Sequence, residues 1–104
     1  MLEKTIENAF YKYAKSRGCT AEKFVSPSKR SVPDRLVTCP GGVMFFIEFK
    51  APDKKPTPLQ LRDHAKRKEM GIAVFVCDQK GQAEAILDIA LMGAVTPSQL
   101  LEVI

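Results

Sequence analysis

Val43-Met44-Phe45-Phe46-Ile47-Glu48-Phe49-Lys50, preceded by Pro33-Asp34 and by a Pro40-Gly41-Gly42 turn, is the stretch that decides the architecture of this chain. Val43 to Ile47 are all apolar, so both faces of the strand are greasy until Glu48, as expected of a central strand covered on both sides. Side chains alternate across a strand, which puts Glu48 and Lys50 on one face while Ile47 and Phe49 anchor the other in the core. Residues 34–39 read as the partner strand of a hairpin. A three-residue loop from Pro40 to Gly42 pairs Cys39 with Val43. Counting back from that pair sets Asp34 opposite Glu48, on the same face, with Cβ atoms roughly 4.5–5.5 Å apart. An even loop length would break this register, so the inference depends on the turn.

Working outward, Leu2, Ile6, Ala9, Phe10, Tyr13 and Ala14 form one apolar stripe at helical spacing. Gly18 stops that helix after residues 2–17, with Lys15 and Arg17 in its last turn, where the helix dipole favours cations. Phe24 and Val25 end a short strand, and Ser26 to Pro33 is a basic loop. Ala51 to Pro58, with three prolines, is a stiff connection, and its Pro52-Asp53 pair reads as a turn. Thr57-Pro58-Leu59-Gln60 starts a helix with Pro at the first position and a capping box, and Gly71 ends it after about Met70. Ile72–Cys77 is a short buried strand, Asp78–Gly81 a turn, Gln82–Met92 a helix, and Thr96-Pro97-Ser98-Gln99 opens a short C-terminal helix. The order α, β, β, β, α, β, α, α implies an α/β domain with a mixed sheet flanked by helices. At 104 residues the whole of 1–104 is expected to be one domain.

Two carboxylates set opposite one another repel and weaken a sheet unless a cation lies between them. Oxygen ligands suit Mg²⁺ or Mn²⁺, and a single histidine in the chain makes a histidine-based zinc site a poor expectation. Lys50, on the same face as Glu48, can position a water and offset charge developing on a phosphoryl oxygen. Its side chain is expected to reach into a solvated cleft and to be nearly dispensable for folding.

The chain carries a net charge of +4. The span from Lys50 to Glu69 holds Lys50, Lys54, Lys55, Arg62, Lys66, Arg67 and Lys68 against Asp53, Asp63 and Glu69, while the region from Asp78 onward is acidic. A basic middle beside an acidic end fits a face built for nucleic acid, although a solvated lysine-rich helix would look the same by charge alone. No apolar run approaches the roughly 20 residues that span a membrane, and the charged N-terminal segment does not resemble a signal peptide. Cys19, Cys39 and Cys77 are odd in number and far apart, which favours free thiols and a cytoplasmic location.

The pattern of Glu7, Pro33-Asp34-Arg35, Glu48-Phe49-Lys50 and Gln60, followed by Gly71 and an apolar strand, resembles the PD-(D/E)XK nuclease superfamily and, within it, the VRR-NUC group with its small stand-alone phage members. The likeness runs from the first helix through Val76. The Val-Arg-Arg that gives the group its name is absent as such, and the C-terminal helices carry no motif that maps. The resemblance implies a restriction-endonuclease-like core and Mg²⁺- or Mn²⁺-dependent cleavage of DNA. It also implies that Asp34, Glu48 and the backbone carbonyl of Phe49 hold the metal, that Lys50 is the catalytic lysine, and that Gln60 lies near the site. Stand-alone members look like homodimers acting on branched or four-way-junction DNA.

Other residues carry two readings each. Glu7 is either a metal-associated carboxylate or an acid favoured in the first turns of any helix. Gln60 is fully explained by the capping box, which does not preclude a role at the site. His64 shares the helical face of Gln60, but a lone helix histidine is expected to be a solvated surface residue. Lys29, Arg30 and Arg35, with Lys54 and Lys55, are expected to contact phosphates; such contacts position DNA without reading its bases. Against the endonuclease stand a non-catalytic DNA-binding module on the same fold and a dimeric interaction domain without nucleic acid. Binding alone needs no clustered carboxylates, and that favours the enzyme.

Overall fold

The hairpin that the sequence turns on forms with the expected register. In the computed structural model, which describes residues 1–103, β2 (Arg35–Cys39) and β3 (Val43–Phe49) pair antiparallel, with Cys39 opposite Val43 and Arg35 opposite Ile47. Gly41 and Gly42 close the turn at φ +85° and +79°, a left-handed pair of conformations that glycine adopts without steric cost. Asp34 lies one residue before β2 and holds the end of the hairpin from both sides. Its carbonyl accepts from the Phe24 amide at 2.9 Å, and its Oδ2 accepts from the Phe49 amide at 2.8 Å.

β1 (Thr20–Lys23) adds antiparallel to β2 and β4 (Val74–Cys77) adds parallel to β3, giving a mixed sheet in the order β1-β2-β3-β4. β1 ends just before Phe24 and Val25; the Phe24 amide still donates to the Asp34 carbonyl, and its ring packs against Phe46 with centroids 5.0 Å apart. α1 (Glu3–Ser16) precedes β1, α2 (Pro58–Glu69) connects β3 to β4, and α3 (Gln82–Met92) and α4 (Pro97–Val103) follow. The expected capping box is present at α2: Gln60 N–H donates to Thr57 Oγ1 and the Gln60 side chain accepts from the Thr57 amide. Pro52-Asp53 forms the expected turn, with Asp53 at φ +66°.

The main core lies on one face of the sheet. Ile6, Phe10 and Ala14 of α1 pack with Val37, Phe45, Ile47, Phe49 and Phe75 from the strands and with Ile86 and Leu87 of α3. Phe10 and Phe49 rings lie 5.8 Å apart and Phe45 meets Phe75 edge-on at 5.5 Å. Leu2, expected on the stripe of α1, precedes the helix and is exposed. The three cysteines are free and buried, as core filler.

The other face of the sheet is covered by α2, which is built unlike a packing helix. Its Leu59 and Leu61 face solvent, and the side chains it buries are Asp63 and His64. Arg67 completes this inner stripe, its guanidinium lying 4.9 Å from the Phe46 ring centre and donating to Asp63 at 2.7 Å.

Candidate active site

β3 delivers Glu48 to the α2 face of the sheet, where the glutamate is only 2% exposed. The hairpin register brings Asp34 to the same end. Its carboxylate is spanned by the Phe49 amide, one residue from Glu48. Glu48 Oε2 accepts from Gln60 Nε2 at 3.1 Å and lies 3.4 Å from Lys50 Nζ. Glu48 Oε1 is buried and has no hydrogen-bond partner among the described residues.

The electrostatics of this cluster run against an ordinary ion pair. Burial, and then the neighbouring charge of Asp34, push the Glu48 carboxyl up to about 7 in spite of the lowering pull of Lys50. Burial also raises Asp34, opposed by the hydrogen bond from the Phe49 amide and assisted by the charge of Glu7. Glu3 at the start of α1 is raised too, first by burial and then by Asp34. One ammonium thus faces several crowded carboxylates, and a carboxylate that is crowded and desolvated is stabilised by any further cation.

A divalent metal is what the resemblance implies here, and the donor set agrees with it. Asp34 and Glu48 offer hard carboxylate oxygens, one of them the buried and unpartnered Glu48 Oε1. No group of three or more Asp, Glu, His or Cys side chains is arranged as a complete metal cage among the described residues. Two carboxylates with the remaining positions left to water and substrate are the usual arrangement for Mg²⁺.

Two expectations need correction. Arg35 is not a free phosphate contact: it is 7% exposed, donates to Glu7 Oε2 and to the Ala21 carbonyl at 2.7 Å each, and lies 5.1 Å from the Tyr11 ring centre. One residue beyond Asp34, it points to the opposite face of the sheet, where α1 meets it. His64 is not a solvated surface residue: it is 5% exposed, and its Nε2 lies 4.0 Å from Glu48 Oε1. Burial lowers its pKa. The Lys50 side chain is 15% exposed beside Glu48.

Glu7 lies between Arg35 and Asp34. It is the ion-pair partner of Arg35 at 2.7 Å, yet close enough for its charge to raise Asp34. Lys29 and Arg30 are exposed on the basic loop and, with Arg62 and Lys66 of α2, line an open groove of about 510 Å³. Lys54 and Lys55 are exposed on the connection between β3 and α2. A recess of similar size beside Tyr11, Lys15 and Arg35 holds none of these carboxylates except through Arg35 and its partner Glu7.

Reasoning from the sequence did not single out Glu3, although it precedes Glu7 by four residues and shares a helical face with it, and it read His64, four residues after Gln60, as a surface side chain.

The chain is 47% identical over 78 residues to "Putative nuclease p44" of Acyrthosiphon pisum secondary endosymbiont phage 1, an alignment covering 75% of this chain and 84% of that protein. A solved structure of a VRR_NUC domain superposes with a TM-score of 0.76 at 29% identity, covering 83% of this chain and 94% of the other. The chain belongs to the VRR-NUC nuclease family. No family model matches the sequence. The VRR-NUC likeness extends to the mixed four-stranded sheet flanked by helices, the restriction-endonuclease-like core expected from the sequence. Among the described residues no helix is long and apolar enough to cross a membrane.

Proposed function

We propose that this VRR-NUC chain is a Mg²⁺- or Mn²⁺-dependent deoxyribonuclease that hydrolyses phosphodiester bonds, with Asp34, Glu48, Lys50 and Gln60 at its centre. The observation that carries this reading is Glu48: buried, raised to about 7, crowded by Asp34, and with one oxygen unpartnered. Such a pair would repel a phosphodiester unless a cation lay between, so a binding role alone gives no reason for it.

Asp34, Glu48 and the Phe49 carbonyl are the proposed metal ligands, with Glu7 as an outlying carboxylate. The bound cation would polarise a phosphoryl oxygen and lower the pKa of a water. Lys50 holds its ammonium beside Glu48 and stabilises negative charge as it grows on the phosphoryl group. Gln60 fixes the Glu48 carboxylate by its hydrogen bond to Oε2. Lys29, Arg30, Lys54 and Lys55 hold the DNA backbone, joined by Arg62 and Lys66 across the groove from the basic loop.

The substrate we infer is branched DNA, such as a four-way junction, cut by a homodimer in the host cytosol. One chain of a single domain offers one centre, and paired cuts need two. Free thiols at Cys19, Cys39 and Cys77 suit a reducing compartment.

The test incubates labelled junction, flap and linear duplex DNA with wild type and Lys50→Ala, each in Mg²⁺, Mn²⁺ or chelator. Metal-dependent cleavage lost in the variant is the expected result. Intact DNA throughout, with salt-sensitive binding retained, would replace the enzyme by a DNA-binding module.

A further inference from the structure

α2 approaches Glu48 with two side chains one helical turn apart. Gln60 Nε2 donates to Glu48 Oε2 at 3.1 Å, and His64 Nε2 stands 4.0 Å from the other oxygen, Oε1. His64 is 5% exposed and Glu48 2%. These two facing atoms are the buried side-chain polar atoms that lack a hydrogen-bond partner among the described residues.

Buried polar groups are seldom left unpaired, because losing water without a replacement bond is costly. A separation of 4.0 Å is too long for a direct hydrogen bond. It suits one oxygen atom lying at an ordinary distance of about 2.8 Å from each end. We propose that His64 is a positioning residue of the centre, and that its Nε2 and one lone pair of Glu48 Oε1 hold one water between them, which keeps the other lone pair of Oε1 toward the cation. This rests on the metal-dependent reading given above. α2 would then grip both oxygens of one carboxylate, Gln60 directly and His64 through water. The inverted character of the helix supports this: its leucines, Leu59 and Leu61, face outward while Asp63 and His64 face the sheet. A histidine kept only for packing could be replaced there by an apolar side chain, and its Nε2 would need no polar atom opposite.

The test compares wild type with His64→Gln, which keeps a polar nitrogen near the position of Nε2, and with His64→Leu and His64→Phe, which remove it while bracketing the side-chain volume. One folded apolar variant suffices, and thermal melts identify it. Mn²⁺ binding by calorimetry is read without DNA, and cleavage of junction DNA is read separately as kcat and KM. The apolar variant should bind Mn²⁺ about tenfold or more weakly, the usual effect of removing a group that orients a metal ligand. It should lose kcat with KM little changed, and His64→Gln should recover most of both. Apolar variants that bind Mn²⁺ and cleave like wild type would overturn the role of His64 while leaving the nuclease intact. Equal losses in His64→Gln and the apolar variants would also overturn it, because shape and not the polar nitrogen would then matter. A wild type that neither binds Mn²⁺ nor cleaves would sink the nuclease reading and this one with it.

Discussion

On one face of β3, Phe45, Ile47 and Phe49 are fully buried against α1, α3 and Phe75. On the other, Phe46 gives way to Glu48 and then Lys50, under a helix whose inner side is Gln60, Asp63, His64 and Arg67. The first face is an ordinary apolar core and needs nothing beyond the chain to be stable. The second gathers desolvated charge that the chain satisfies only in part: Asp63 has Arg67 at 2.7 Å, whereas Glu48 keeps an unpartnered oxygen. One strand thus anchors the fold with Phe45, Ile47 and Phe49 and carries the buried charge of Glu48 on its other face. Because the pleat separates this core from the proposed centre, substitutions one residue apart should have effects of different kinds.

The largest expected effect comes from Lys50→Ala, which should lower metal-dependent cleavage by about 10²–10³-fold, the usual scale for removing a group that stabilises transition-state charge. Its neighbour should behave oppositely. Phe49→Ala should cost about 3–5 kcal/mol of stability, as large-to-small changes in a packed core do, read as a shift in the urea midpoint. A folded Phe49→Ala fraction should still bind DNA. If Lys50→Ala unfolds the protein as badly as Phe49→Ala, the division between the two faces fails.

Much of this division was legible in the sequence. The three-residue turn fixed the hairpin register, and the register alone put Asp34 at the level of Glu48. The alternation of strand side chains then separated Glu48 and Lys50 from Ile47 and Phe49. Arg35 was misjudged because it was weighed as a charge near a motif, when the same alternation turns it away from Asp34 toward α1. His64 was misjudged for a different reason. Whether a polar helix residue faces solvent or a sheet depends on how the helix docks, and α2 offers no apolar stripe from which docking can be read. Its side of contact is set by Phe46 and Glu48 on β3, which no local pattern in α2 records.

A smaller effect, of unusual sign, is expected from Glu48→Gln. Burial raises the folded-state carboxyl to about 7 from its ordinary 4.5, so between those values the folded protein binds more protons than the unfolded chain. Stability from this group is therefore present at low pH and declines as pH rises from about 4.5 through 7. At pH 8 without metal, Glu48→Gln should melt higher than wild type, by about 1–3 kcal/mol, the cost usually carried by an unsatisfied buried polar group. The variant should be inactive and should lose the stabilisation by Mn²⁺ that wild type shows. In wild type that stabilisation should strengthen from pH 6 to pH 8, because the ligand must lose its proton before it binds a cation. A wild type that melts higher than Glu48→Gln at pH 8 in chelator would show the carboxylate to be well satisfied by the protein alone.

The smallest effects should come from the exposed cations, and they separate holding DNA from cutting it. Lys54 and Lys55 lie on the connection between β3 and α2, exposed, and no salt bridge engages either of them among the described residues. Lys54→Ala or Lys55→Ala should leave the melt within about 0.5 kcal/mol of wild type, as surface changes usually do. Each should weaken DNA binding uniformly across sequences and reduce the slope of log K against log salt by about 1, one phosphate contact's share of released counterions. Arg35→Ala should do the reverse. Its guanidinium is engaged by Glu7, the Ala21 carbonyl and the Tyr11 ring, so its loss should lower stability and leave the salt slope unchanged. A salt slope that falls for Arg35→Ala and not for the lysines would reverse the assignment, because it would mean that DNA lies along the α1 side of the sheet. The open recess beside Tyr11 and Lys15 would then be its track, and the groove at the basic loop would have no part in binding.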